Sequence, residues 1–221
     1  SLLDNMEHRR SLYQLPWYVV LGEENAGKTS LITRSNQSFS LSHVAKAGAR
    51  AYHDETLAYT VDWWIGHEAV LIDPPGEFVT QPEGLPSTDP VDTSGSVKPC
   101  VDKKKPVLPA GTHPRLWLHL LDWLSRNRSR RALNGVVLVV DLQALLTQRA
   151  EQRKALATVL RTRVYELTRQ LGTRLPLYVV LSKLDLLEGF EEFFARLPRS
   201  MREDLLGFTF SLQGVEDFDA W

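Results

Sequence analysis

The sequence predicts an α/β protein, a mostly parallel sheet with helices on both faces. Three observations predict it. A glycine-rich loop with a following lysine and threonine, GEENAGKT at 22–29, stands directly behind the apolar run WYVVL. Strand-like and helix-like segments alternate along the chain, the pattern of parallel strands joined by crossover helices. An apolar strand ending in aspartate, AVLID at 69–73, begins a second acidic-glycine motif downstream.

Taken in order, Trp17–Leu21 is a short β-rich run and predicts the first strand. Gly22 and Gly27 let the backbone turn tightly behind it. Ser30 and the residues beyond continue into helix-compatible sequence, and Lys28 is expected on the surface of the intervening loop. Residues 60–65 and 69–73 predict a hairpin around Gly66 and His67. A helix is expected over residues 115–124, ending in the basic cluster RNRSRR at 126–131, whose simplest role is to place cations at a helix C-terminus. Gly135–Asp141 predicts a buried strand. Over residues 151–171 the apolar Leu156, Val159, Leu160, Val164, Leu167 and Leu171 recur at three- and four-residue steps, one face of a helix, and Gly172 stands where a left-handed cap belongs. Leu177–Ser182 predicts another strand, and residues 208–211 a short final one. Residues 82–114 interrupt the alternation. They are rich in Pro, Gly, Ser, Asp and Lys, and are too long for a routine connection, so they predict a surface loop or lid.

The loop at 22–29 has the full pattern of a phosphate-binding loop. The phosphate-binding set is Gly22, Glu24, Asn25, Ala26, Gly27, Lys28, Thr29 and Ser30. Their N–H groups are expected to converge as a nest with the positive end of a helix dipole behind it. Lys28 adds a full charge against the β and γ phosphates. Thr29 offers a hydroxyl to Mg²⁺, a hard ion that prefers oxygen. The run ending Asp73-Pro74-Pro75-Gly76-Glu77 has the form of a metal-holding strand joined to a GTPase switch. Asp73 is expected in the Mg²⁺ shell and the Gly76 N–H at the γ-phosphate. Glu77 falls where many GTPases place a water-orienting glutamine; its negative charge sits poorly beside a phosphate, so turnover is expected to be slow or partner-dependent. Two prolines stiffen this switch and remove N–H donors.

Ser182-Lys183-Leu184-Asp185 resembles the guanine-specificity motif of GTPases, [NT]KxD. A carboxylate at Asp185 can accept from both N–H donors on the guanine edge, a pair that adenine lacks. Lys183 would lay its stem along the base. Ser182 replaces the usual Asn or Thr, and its shorter side chain is expected to weaken the link back to the phosphate loop and leave GTP and ATP both open. The threonine of the first switch should lie between the loop and Asp73, with Thr56 and Thr60 as candidates. Together these segments predict a P-loop NTPase with a small-GTPase-like sheet.

Composition sets bounds on the rest. The 221 residues carry a net charge of −1, which gives no basis for bulk electrostatic binding to nucleic acid. Cys100 is the only cysteine, so no intrachain disulfide forms and a reducing compartment is the natural setting. The six histidines show no zinc-type spacing. No apolar run approaches the ~20 residues of a membrane helix. Residues 1–14 mix both charge signs and lack the apolar core of a signal peptide, and Ser1 in place of Met suggests a piece of a longer chain.

The segments LPWYVVLGEENAGKTSLI, VDWWIGHEAVLIDPPGEFVTQ, RALNGVVLVVDLQALL and VVLSKLDLLEGFEEFFARLP together resemble the cytoplasmic nucleotide-binding domain of the IcmF/TssM family of bacterial type VI secretion systems. The tandem Trp63-Trp64 and the LLEGFEEFFA tail carry the resemblance most, because nucleotide chemistry does not account for them. Asp73-Pro74-Pro75-Gly76 departs from the DTAG common in that family. The resemblance implies a cytoplasmic domain of an inner-membrane protein, with residues 1–14 as a juxtamembrane-type segment and 15–221 as the domain. It implies contact with other membrane-complex and baseplate components, and links to both ATP and GTP. Two outputs fit: an Mg²⁺-dependent nucleotide-binding or hydrolysing domain, or a structural docking module with a vestigial pocket, in which the 82–114 insertion and Trp221 would matter more. A freestanding kinase fits less well, for want of an acceptor site.

Overall fold

The computed structural model describes residues 13–35, 37–39, 61–81, 111–203, 207 and 209. Five strands form one sheet: β1 (Trp17–Leu21), β2 (Asp62–Ile65), β3 (Val70–Asp73), β4 (Gly135–Asp141) and β5 (Leu177–Ser182), in the spatial order β2-β3-β1-β4-β5. β1 runs parallel to β3 and β4, and β4 parallel to β5. β2 pairs antiparallel with β3 at the edge. Its hairpin closes through the Gly66 N–H, which donates to the Ala69 carbonyl at 2.9 Å, so β3 proper starts one residue later than the apolar run suggests.

Helices cover both faces. The first, α1 (Lys28–Arg34), follows the glycine-rich loop; α2 (Gly76–Thr80) follows β3; α3 (Thr112–Asn127), α4 (Leu142–Thr147) and α5 (Ala150–Leu171) come next. One face of β1, β3 and β4 buries Val19, Leu21, Ile72 and Val136 against Phe78, Val79, Trp117, Leu121, Leu124 and Leu167. The other face buries Val20 and Val139 with Ile32, Phe39 and Trp64. Central parallel strands are buried on both sides, so they read as unbroken apolar runs. α3 begins at Thr112, three residues before the expected start. Pro114 fits there because a first-turn residue needs no N–H partner within the helix. Residues 112–114 therefore belong to this helix and not to the loop before it. α5 ends at Gly172, whose φ of 63° is the left-handed cap expected of it. Leu160 and Leu167 are its buried residues, and Leu156, Val159, Val164 and Leu171 are half-buried.

The chain divides into two compact units, Ser1–Lys183 and Leu184–Trp221. The sheet belongs to the first. Within the second, a 3₁₀ turn (Leu184–Leu186) precedes α6 (Phe190–Arg196) and α7 (Arg199–Glu203), and Phe190 stacks on Phe194 one turn along α6 at 5.7 Å. Thr56, Thr60, residues 82–110, all but Thr209 of the strand expected at 208–211, Trp221 and most of the N-terminal segment lie outside the described residues.

Candidate nucleotide site

The loop expected between strand and helix is where the chain turns from β1 into α1. The Ala26 N–H closes a tight turn on the Glu23 carbonyl at 3.2 Å, with Asn25 at φ 62° and Gly27 at φ 89°. Gly27 is the N-cap of α1 and has no side chain with which to cap it. Gly22 is required for a separate reason: a Cβ there would sit 2.6 Å from the Val139 carbonyl oxygen of β4. Glu24, Asn25, Thr29 and Ser30 are exposed at the loop, and Ala26 is buried beneath it.

Lys28 is not a freely exposed charge. It is only 8% exposed, its ammonium donates to the Gly22 carbonyl at 3.4 Å, and it lies 3.8 Å from Asp73 Oδ1. Asp73, at the end of β3, accepts on its other oxygen from the Thr29 hydroxyl at 3.1 Å. A buried carboxylate needs such partners, since an unpaired one would cost several kcal/mol of lost hydration. One aspartate thus gathers the lysine and the threonine of the loop. Their contacts arise because β1 and β3 are neighbours in parallel register, which brings both C-terminal ends to one edge of the sheet.

Gly76 lies against the same loop. A Cβ on it would be 2.2 Å from the Glu24 nitrogen and 2.6 Å from the Glu23 carbonyl carbon, so no larger residue fits without moving backbone. Pro75, in an extended conformation with φ −51° and ψ 144°, sets the entry into α2, and Glu77 is its half-buried second residue.

On the opposite side, β4 and β5 supply Asp141 and Ser182, which face each other in register. The Ser182 hydroxyl donates to the Ala26 carbonyl at 2.7 Å, with the Val140 carbonyl 3.2 Å away. The shorter side chain, expected to weaken the link from this motif to the loop, still reaches it, because the loop carbonyl comes close enough to meet the hydroxyl. Lys183 has φ 60°, and its ammonium is 2.5 Å from Asp141 Oδ2. Asp141 Oδ1 accepts from the Ala144 N–H at 3.0 Å and caps α4. Burial pushes the Asp141 carboxyl up, but the hydrogen bonds from Lys183 and Ala144 and the lysine charge outweigh this and hold it below its ordinary value. Glu23 goes the other way, raised first by burial and then by the Asp141 carboxylate. Asp141 was not singled out from the sequence, where it reads only as the residue ending an apolar strand. Asp185 is exposed in the 3₁₀ turn that opens the second unit.

The strand order, the loop and the aspartate at the end of β3 define an α/β P-loop protein with a GTPase-like sheet. Residues 111–221 match the family described as the IcmF-related N-terminal domain, and the chain belongs to that family. The type VI secretion system component TssM1 of Pseudomonas aeruginosa is 38% identical over 204 residues, which is 92% of this chain and 16% of that protein. The chain thus spans about one sixth of that relative's length. A crystal structure of a probable GTP-binding protein, engB, superposes with a TM-score of 0.42 and 18% identity, covering 85% of this chain and 84% of the other.

Proposed function

We propose that this chain is the nucleotide-binding domain of a type VI secretion component and that it takes a nucleoside triphosphate, GTP or ATP, with Mg²⁺. The observation that carries the reading is the meeting of Lys28, Thr29 and Asp73 under one glycine-rich loop. A hydroxyl and a carboxylate 3.1 Å apart are two hard oxygen donors, the kind Mg²⁺ accepts alongside phosphate oxygens. Bound there, the ion would neutralise phosphate charge.

The remaining work falls to the chain. Lys28 and the loop N–H groups stabilise charge on the phosphates, Gly76 brings the backbone after β3 to the loop, and Glu77 is assigned the task of orienting a water from its position in the motif. Ser182 ties the base-side strand to the loop. As part of a larger membrane-anchored protein, the domain acts on the cytoplasmic side, against other membrane-complex and baseplate components.

Equilibrium titration of GTP and ATP, each with Mg²⁺, into wild type, Asp73→Asn and Asp185→Asn tests this. Wild type is expected to bind saturably, Asp73→Asn to lose the Mg²⁺ dependence, and Asp185→Asn to lose any preference for GTP. Absence of binding by wild type would overturn the reading.

A docking module with a vestigial pocket is the second reading. It is favoured by one observation: Leu177, Val179 and Leu181 on one face of β5 are 45–57% exposed, and the groove of about 580 Å³ beside them, lined by Leu138, Val140, Leu156, Leu160, Val164 and Leu177, shares no residue with the phosphate loop. Normal assembly of the secretion apparatus with Lys28→Met in the full-length protein would favour docking over nucleotide control.

A further inference from the structure

The base side of the site contains an ion pair that the phosphate chemistry does not use. Asp141 and Lys183 approach to 2.5 Å, with side chains 14% and 31% exposed. Both carboxylate oxygens are committed, Oδ1 to the Ala144 N–H and Oδ2 to the lysine, so the carboxylate is fixed in orientation. Lys183 is fixed too. Its backbone is held in the left-handed region at φ 60°, which a non-glycine residue keeps only when its surroundings over-determine it. The neighbouring Ser182 is anchored to the Ala26 carbonyl, so two consecutive residues are tied at the loop.

A lysine in this position has two ways to meet a nucleotide. Its ammonium can turn toward the phosphates, which strengthens binding of any polyphosphate. Alternatively its four-carbon stem can be presented as an apolar wall for a ring, with the charge directed elsewhere. Asp141 decides between them by drawing the ammonium to the end of β4.

We infer that Asp141 is a specificity-determining positioning residue: it holds the Lys183 ammonium so that the lysine stem serves as a wall for the purine ring of a nucleoside triphosphate. The inference rests on the nucleotide reading above. Asp141 exchanges affinity for phosphate alone against affinity for the base.

The test compares Mg²⁺·GTP with Mg²⁺·tripolyphosphate, which has the phosphates but no base, in wild type, Asp141→Asn, Asp141→Ser, Lys183→Met and Lys183→Met/Asp141→Asn. Asn and Ser both keep an N-cap for α4, so the helix start is preserved. Loss of one charge-assisted contact is expected to lower the GTP-to-tripolyphosphate affinity ratio about tenfold in both Asp141 variants. GTP affinity falls and tripolyphosphate affinity holds or rises. In the Lys183→Met background, Asp141→Asn should add nothing. An unchanged ratio in variants of a wild type that binds both ligands would overturn the inference alone, as would an equal shift in the Lys183→Met background. Wild type binding neither ligand would overturn the nucleotide reading and this inference with it.

Discussion

Asp73 is where the site's electrostatics are settled. It is buried and holds Lys28 and Thr29 at once, so loss of either partner removes a favourable contact from a buried carboxylate. Substitution at Lys28 therefore has a stability cost that a surface loop would not show. Gly76→Ala should destabilise the fold by about 1–3 kcal/mol in urea unfolding, because its Cβ meets loop backbone and cannot be relieved by a rotamer change. Glu23 supplies a pH signature. Its folded pKa lies above the unfolded one, so its contribution is fully present below the unfolded carboxylate range and is lost as pH rises through the folded value. Glu23→Gln is expected to be more stable than wild type at pH 7, with the difference vanishing toward pH 4; unfolding midpoints across that range measure it. The meeting of Lys28, Thr29 and Asp73 was legible in the sequence because a glycine-rich loop behind one apolar strand and an aspartate ending another fall at the same end of a parallel pair. Asp141 was not, because its partner Lys183 lies 42 positions away and only strand pairing brings them together. The strength of the Ser182 link was illegible for the same reason: it depends on where the Ala26 carbonyl sits, 156 positions away.

At the level of elements, the structure accounts for the tandem tryptophans. Alternation along β2 sends Trp63 and Trp64 to opposite faces of the sheet. Trp63 meets Trp17 at 5.4 Å and Trp123 at 5.2 Å, both edge-on, while Trp64 is buried against Phe39 at 5.7 Å. The basic cluster after α3 also resolves into separate roles. Arg126 pairs with Asp122 one turn back, as a helix-end cation does, but Arg128 is buried between the rings of Tyr13 and Trp17, 5.0 and 4.3 Å from their centroids. Charge counting sees arginines; it does not see that one of them is packed between aromatic rings. α3 and α5 are joined by Trp117, which has no exposed surface and donates from its indole N–H to Glu166 at 2.7 Å. Trp117→Ala should cost about 3–5 kcal/mol in chemical denaturation, chiefly through the cavity, since Glu166 keeps its ion pair with Arg163 when the indole N–H is lost. A loss below 1 kcal/mol would contradict the packing described.

Over the whole molecule, the alternation of apolar runs and helical faces was enough to predict the sheet, and β1, β4 and β5 have the bounds that their apolar runs suggest. Buried parallel strands are the easiest elements to read, since both faces demand apolar residues. The start of α3 was harder because Pro114 and Gly111 carry loop-like signals while serving its first turn. β5 differs from the central strands. It is apolar, yet Leu177, Tyr178, Val179 and Leu181 are all exposed, and among the described residues no strand pairs with its outer edge. Hydropathy cannot distinguish a central strand from such an edge, because sequence reports composition and not what lies beside it. Family membership places the chain among IcmF-related N-terminal domains, and it spans about one sixth of the length of the type VI secretion relative it matches.

The central claim is that the loop behind β1 binds the phosphates of a nucleotide through Lys28. The most direct test is a calorimetric titration of Mg²⁺·GTP and Mg²⁺·ATP into wild type and Lys28→Met, a variant that keeps the buried stem and removes only the charge. Saturable one-site binding by wild type, weakened at least about tenfold in Lys28→Met, is the predicted result. Equal affinity in the two proteins, or no heat of binding in wild type, would contradict the account.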